Sequence, residues 1–387
     1  MPGLRVAVLI ATWMVAGPSV WGCPLCSAPT DTLRMQLERA QLAVVAEWQG
    51  VQEPAGEDPG HTQYRIVRQL RRDEAAGSIL AVTADQLRLP GVYAGQTGER
   101  YLLLASLNGE QQIWTDPLPV SEVLLNYLIG APASEQPVAE QLQYFLKYLE
   151  HADPVLANDA YAEVANADYR DISSVASHFS AESLRRWLAD SGRDVTRMSL
   201  YGVMLGLCGR PEDAEFLASI VLPNPEGLRL GIEGLMYGYV LLAGEPGLQR
   251  LVEAKLIPQD APPAETFAAM TALRFLWDYV PDRLPRPALR SALRTLLKRS
   301  EYRSLVIVDL ARWEDWEAMQ EIRNLYDLPD GDAGSTRRAV VRYFRSAVAA
   351  PAESLPATHQ ELAQKLFKEI RELDPETVLQ VERFDFD

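Results

Sequence analysis

The chain turns on Gly202-Val-Met-Leu-Gly206-Leu, which recurs as Gly234-Leu-Met-Tyr-Gly238-Tyr and as Ala268-Ala-Met-Thr-Ala272-Leu. The copies begin 32 and 34 residues apart. Each reads small-x-Met-x-small-apolar, so its two small residues share one helix face. A glycine inside a helix costs about 1 kcal/mol relative to alanine. Two per helix therefore point to a neighbouring helix packed against the missing side chains. Repetition at this interval predicts a stacked array of helical hairpins. That is an architecture, and it names no reaction.

Working outward, helical periodicity dominates from Pro137 onward. Val138 to Glu150 reads as one helix with Leu142, Phe145, Leu146 and Leu149 on its apolar face. Asp153-Pro154 supplies an N-cap and first-turn proline for Val155 to Ala165. Breaks follow at Gly192, Gly209-Arg-Pro211, Pro223-Asn-Pro225, Gly244-Glu-Pro246, Pro258 to Pro263, Pro281 to Pro287, Pro329 to Gly334 and Pro351 to Pro356. Ala152-Asp-Pro-Val-Leu-Ala-Asn-Asp-Ala-Tyr161, with this layout, resembles HEAT or armadillo-type repeats over about residues 137–372. The resemblance implies an α-α superhelix and is silent on function.

The segment before it carries strand signals. Asp31 to Ala40 reads as a short helix capped by Asp31, and Leu42 to Trp48 as a largely buried strand. Tyr64 to Leu70, Ile79 to Thr83, Tyr101 to Ser106 and Gln112 to Trp114 follow as further strands, the last pair joined by a hairpin turn at Asn108-Gly109. Cys23, Ala43-Val-Val-Ala-Glu47, Tyr64-Arg-Ile-Val67 and Gly98-Glu-Arg-Tyr-Leu-Leu-Leu104 together resemble the netrin-like, or tissue-inhibitor-of-metalloprotease-like, modules. The resemblance implies a small antiparallel OB-type barrel over about residues 23–130. The start departs from that pattern: it is Cys-Pro-Leu-Cys, with no further cysteine in the module.

The first 22 residues read as a signal peptide. Arg5 is its charge, Val6 to Gly17 its apolar core, and Val20 and Gly22 are small residues before a cut at Cys23. Val20-Trp21-Gly22-Cys23 also half-matches a lipobox, so Cys23 is a candidate for lipidation. The expected organisation is a signal peptide (1–22), a β-barrel-like module (23–130), a helical repeat domain (131–372) and a frayed tail (373–387).

A net charge of −16 argues against nucleic acid or an anionic membrane surface as the main partner. Cys23 and Cys26 form the sharpest motif: a disulfide, a lipidated Cys23 beside a free Cys26, or a redox pair. Cys208 sits in an apolar helix and reads as a buried thiol. His61, His151, His178 and His359 are scattered, and no phosphate loop, dinucleotide fingerprint or nucleophile elbow is present. Ser173 and Ser174 near His178 read as helix-terminal serines. No catalytic, metal or cofactor residue is therefore assigned. Trp313 and Trp316 read as two indoles on one helix face, either packed between repeats or forming an interface. Arg337, Arg338, Arg342 and Arg345 could meet an acidic partner or lie on a solvated face.

The expected function is that of an exported scaffold of the cell envelope, binding an unidentified protein. It would touch the membrane only through a lipidated Cys23. The alternative is a thiol–disulfide oxidoreductase using Cys23 and Cys26.

Overall fold

A computed structural model describes Leu25 and residues 31–384, except 57–58, 74–84, 109–110, 191, 193, 329–332, 352 and 354. The signal segment, Cys23, Cys26 and the strand expected at Ile79 to Thr83 lie outside the described residues. The helices are α1 (Leu33–Arg39), α2 (Glu122–Gly130), α3 (Val138–Phe145), α4 (Pro154–Ala165), α5 (Tyr169–Ser174), α6 (Ala181–Ala189), α7 (Met198–Cys208) and α8 (Pro211–Val221). They continue as α9 (Ile232–Leu251), α10 (Pro263–Tyr279), α11 (Arg286–Arg294), α12 (Arg303–Arg312), α13 (Met319–Leu325), α14 (Ala333–Ala349), α15 (Ala357–Leu373) and α16 (Pro375–Phe384).

The strands are β1 (Leu42–Gln52), β2 (His61–Arg72), β3 (Gln86–Pro90), β4 (Arg100–Asn108), β5 (Gln111–Trp114) and β6 (Leu118–Pro119). They form one antiparallel sheet in the order β3-β2-β1-β4-β5, with β6 also on β4. The sheet is open, which corrects the closed barrel. Among the described residues β3 pairs only with β2, and β5 only with β4.

Alternation along the strands explains why closure is unnecessary. Ala43, Val45, Leu102 and Leu104 point into the same core as the helices, so helices cover that face. Leu42, Val44, Ala46, Tyr64, Leu87, Leu89, Tyr101 and Leu103 build a second core on the opposite face. Three register irregularities between β1 and β2 add twist. The sheet thus packs as a layer against helices.

Buried polar groups tie this layer to the helical stack. Thr32, not Asp31, caps α1, its Oγ1 accepting from Met35 N at 3.2 Å. Leu33 N then donates to Asp159 Oδ1 at 2.6 Å, and Tyr127 Oη donates to Asp159 Oδ2 at 2.7 Å. Arg34 grips Glu163 with two bonds of 3.1 and 2.7 Å. The expected boundary near residue 130 is therefore crossed by a continuous core and by these bonds.

In the stack, Asp153 caps α4, accepting from Val155 N at 3.0 Å with Pro154 in the first turn. Helix α7 is buried on every side from Ser199 to Gly206, as its uniform apolarity requires. Gly244 interrupts α9 with φ +64° and ψ −150°, at the expected Gly-Glu-Pro break. A π-turn, Val252–Leu256, follows it. The tail expected at 373–387 is instead helical as far as Phe384. Val378 and Val381 are buried, and Asp374 caps this helix by accepting from Thr377 N at 3.0 Å.

Candidate functional site

Leu25, the one described residue of the Cys-Pro-Leu-Cys motif, is 3% exposed and belongs to the main core. Ser199 Oγ in the first turn of α7 donates to its carbonyl. Leu25 is therefore held on α7. The first described helix begins at Leu33, seven positions after Cys26.

Backbone contact sets the geometry of that pair. A Cβ added at Gly206 would come within 2.5 Å of Gly238 Cα, and one at Gly202 within 2.6 Å of Leu235 N. Side chains at Gly234 and Gly238 would run into Ser199 O and Gly202 O. Ala268 and Ala272 are buried on α10, the next helix packed on α9.

Beside the anchor lies a buried polar network. Arg197 donates to Leu149 O at 2.5 Å, Glu150 Oε1 at 3.0 Å and Asn158 Oδ1 at 2.5 Å. Tyr201 donates to the same Glu150 oxygen at 2.5 Å. Further along, Lys255 is fully buried and donates to Pro223 O (2.8 Å), Asn224 Oδ1 (2.5 Å) and Glu265 Oε2 (2.9 Å). Arg229 holds both oxygens of Glu265, at 2.7 and 2.6 Å. Burial lowers the Lys255 pKa below the usual lysine range. Burial opposes ionisation of Glu265, but hydrogen bonds from Arg229 and Lys255 outweigh it and hold that carboxyl below its usual range. Asp315 is likewise enclosed, with Arg294 on both its oxygens. These charges meet partners within the fold, and such an arrangement fixes helices without offering a free acid or base.

The other candidates are dispersed. Trp313 ends α12, and Trp316 opens a separate 3₁₀ turn after Glu314 at φ +52°, so they do not share one helix. Trp313 (4% exposed) stacks on Trp277 with ring centroids 4.4 Å apart, while Trp316 (6%) meets Tyr343 edge-on. Both are buried, so neither presents a surface anchor. His151 Nδ1 accepts from Asp153 N at 3.0 Å, and Ser174 Oγ donates to Asp171 O. Cys208 is half-buried rather than enclosed, and burial pushes its thiol up to about 11, away from reactivity. Among the described residues no group of three His, Cys, Asp or Glu could hold a metal ion. No described helix is long and apolar enough to cross a membrane.

Surface concavities remain among the described residues. One, of about 480 Å³, lies between α9 with its π-turn and α11: the buried Leu248, Val252 and Ala292 form its floor, and the exposed Glu245, Glu253 and Ile257 its rim. A second, of about 380 Å³, lies where the sheet meets the helices, beside Arg34, Arg68, Arg71 and Asp159. Burial raises the pKa of Asp159. Another, between α12 and α14, is lined by Arg312 and by Arg342 and Arg345 of the expected basic face. The Leu25 anchor and the Lys255–Glu265–Arg229 set carry no sequence motif. Nothing local in the sequence signals either. Comparison with known proteins gives no matching family model and no curated relative.

Proposed function

We propose that this chain is an exported, non-catalytic scaffold of the cell envelope that binds a protein partner on its helical surface. The helices read as HEAT-like repeats. Side-chain bonds recur at a spacing close to that of the repeated stretches: Arg229 to Glu265 spans 36 residues, while Arg250 to Glu215 and Arg274 to Asp309 each span 35. Such staples hold consecutive units in a solenoid, an architecture that exposes extended binding surfaces.

The groove between α9 and α11 carries this reading. It pairs an apolar floor with carboxylates at its rim, and Ile257 is 54% exposed there. A partner segment with apolar anchors and basic flanks fits that chemistry. Photo-crosslinking in the native envelope tests it, with the probe at Ile257 and, as control, at Leu379 (52% exposed) on α16. The expected result is a defined protein adduct from Ile257 that Val252→Glu abolishes. The same adducts from both positions, or none from Ile257, would overturn the assignment.

A further inference from the structure

The concavity of about 380 Å³ at the junction of sheet and helices has a largely apolar wall. Leu37 of α1, Leu70 of β2, Leu128 and Ile129 of α2 and Phe145 of α3 form it. Charged side chains also reach it, and their partners decide what the site can take. Asp159 has both oxygens occupied, by Leu33 N at 2.6 Å and Tyr127 Oη at 2.7 Å. Glu38 faces Arg34 at 3.6 Å. Arg34 is itself committed to Glu163 at 2.7 Å, with its guanidinium over the Phe145 ring. Arg68 and Arg71 remain. Neither guanidinium meets a carboxylate among the described residues, although Arg65 and Arg100 on the same sheet face share Glu47.

Two bulges put them there. In a regular strand, residues three apart point to opposite faces. Against β1, Arg71 pairs with Ala43, Gln69 with Val44 and Arg68 with Val45, so Leu70 is passed over. Val67 is passed over likewise before Ile66 meets Ala46. Residues directly opposite in an antiparallel ladder share a face, and Ala43 and Val45 both point into the core beneath the helices. Arg68 and Arg71 therefore share that face, at the cavity. Bulges that re-aim side chains are over-represented beside active sites. A lone exposed arginine is ordinary, whereas two uncompensated guanidinia brought to one apolar cavity are not.

We propose that this cavity binds a small amphiphilic carboxylate, with its apolar body against Leu37, Leu128 and Phe145 and its charge on the Arg68–Arg71 pair. The planar guanidinium fork matches the two oxygens of a carboxylate. The volume falls within the range of small-molecule sites, roughly 300–1,000 Å³, as does the combination of an apolar wall with a few convergent polar groups. The acids of the cavity already have partners, so a cationic ligand gains nothing there. A bound molecule touches β2, α1, α2 and α3 together and so stabilises the junction of sheet and helices.

The test uses the full chain with octanoate, read by calorimetric titration and by amide hydrogen exchange, with 1-octanol as the neutral control. One octanoate per chain is expected, with slowed exchange across residues 66–72 and 127–133 and at least tenfold weaker binding of 1-octanol. Arg68→Gln/Arg71→Gln removes both charges at exposed positions and should weaken octanoate at least tenfold. Ile129→Trp, at a position 43% exposed, should obstruct the cavity and weaken octanoate too. Absence of octanoate binding, equal binding of 1-octanol, unchanged affinity in either variant, or exchange slowed only elsewhere overturns the site. The assignment stands apart from the partner groove between α9 and α11, whose adduct at Ile257 is a separate readout.

Discussion

Helix α9 is held to one neighbour by missing atoms and to the region around its other end by buried charge. Against α7, Gly206 and Gly238 bring backbone directly onto backbone. Past its C-terminal end, Lys255 meets Glu265 at 2.9 Å and Arg229 closes the set. The first device depends on small residues and tolerates no added volume. The second depends on complete pairing, because a buried charge left alone costs more than the pair contributes. Packing and pairing therefore fail differently, and substitutions separate them.

The largest effect is expected at the paired end. Glu265→Ala leaves the Lys255 ammonium buried without its counter-ion, a loss of about 3–5 kcal/mol. Chemical denaturation of the full chain measures it; a loss under about 1 kcal/mol would show that water reaches Lys255 and that the set is not a staple. Replacing the pair together, as Lys255→Met/Glu265→Leu, should destabilise less than Glu265→Ala alone. The pH dependence has a definite sign. The folded-state pKa of Glu265 is depressed, so its contribution is present above the ordinary glutamate pKa near 4.3 and is lost as pH falls through the lower folded value. The stability gap between wild type and Glu265→Gln should therefore shrink below about pH 4. Asp159, raised by burial, works in the opposite sense: its proton is held more tightly in the folded state, and that contribution disappears as pH rises.

At the packed end, Gly206→Leu inserts a branched side chain against Gly238 Cα. Overpacking of this kind costs about 1–3 kcal/mol, and because the obstacle is backbone the upper figure is expected. Loss of stability without loss of helicity in circular dichroism would mark separation of α7 from α9. Unchanged stability would mean the helices slide apart freely. The smallest effect belongs to a site outside the comparison. Asp153→Ala removes the cap of α4, for about 1 kcal/mol, and the same denaturation series should resolve it as a shift in midpoint alone.

The difference between the two ends of α9 also explains what could be read from the sequence. The glycine pairs were legible because the residues that meet recur within six-residue units at a repeat interval. Proline and glycine breaks were legible for the same local reason, as at Asp153-Pro154 and Gly244. The staple was not, since Arg229, Lys255 and Glu265 come together only after α9, its π-turn and α10 have packed. The barrel was a misreading of strand density. Strand signals at residues 42–48 and 101–106 are local, but whether a sheet closes depends on what covers its faces, and here helices from distant sequence cover one of them. The last helix was missed because Glu382-Arg-Phe-Asp-Phe-Asp387 is polar and terminal, while the buried valines that hold it, Val378 and Val381, lie just before that stretch. The Leu25 anchor escaped because one leucine between two cysteines carries no periodicity at all.

The central claim is that the α7–α9 crossing is fixed by backbone contact at its glycines, and alanine decides it. In a helix with free surface, Gly→Ala gains up to about 1 kcal/mol. Here a single methyl at Gly206 or Gly238 must displace backbone atoms. Chemical denaturation of Gly206→Ala and Gly238→Ala in the full chain should show both less stable than wild type by about 1–3 kcal/mol. Both variants gaining the full helix-propensity increment would contradict the crossing, and with it the repeated stretch as the organiser of the fold.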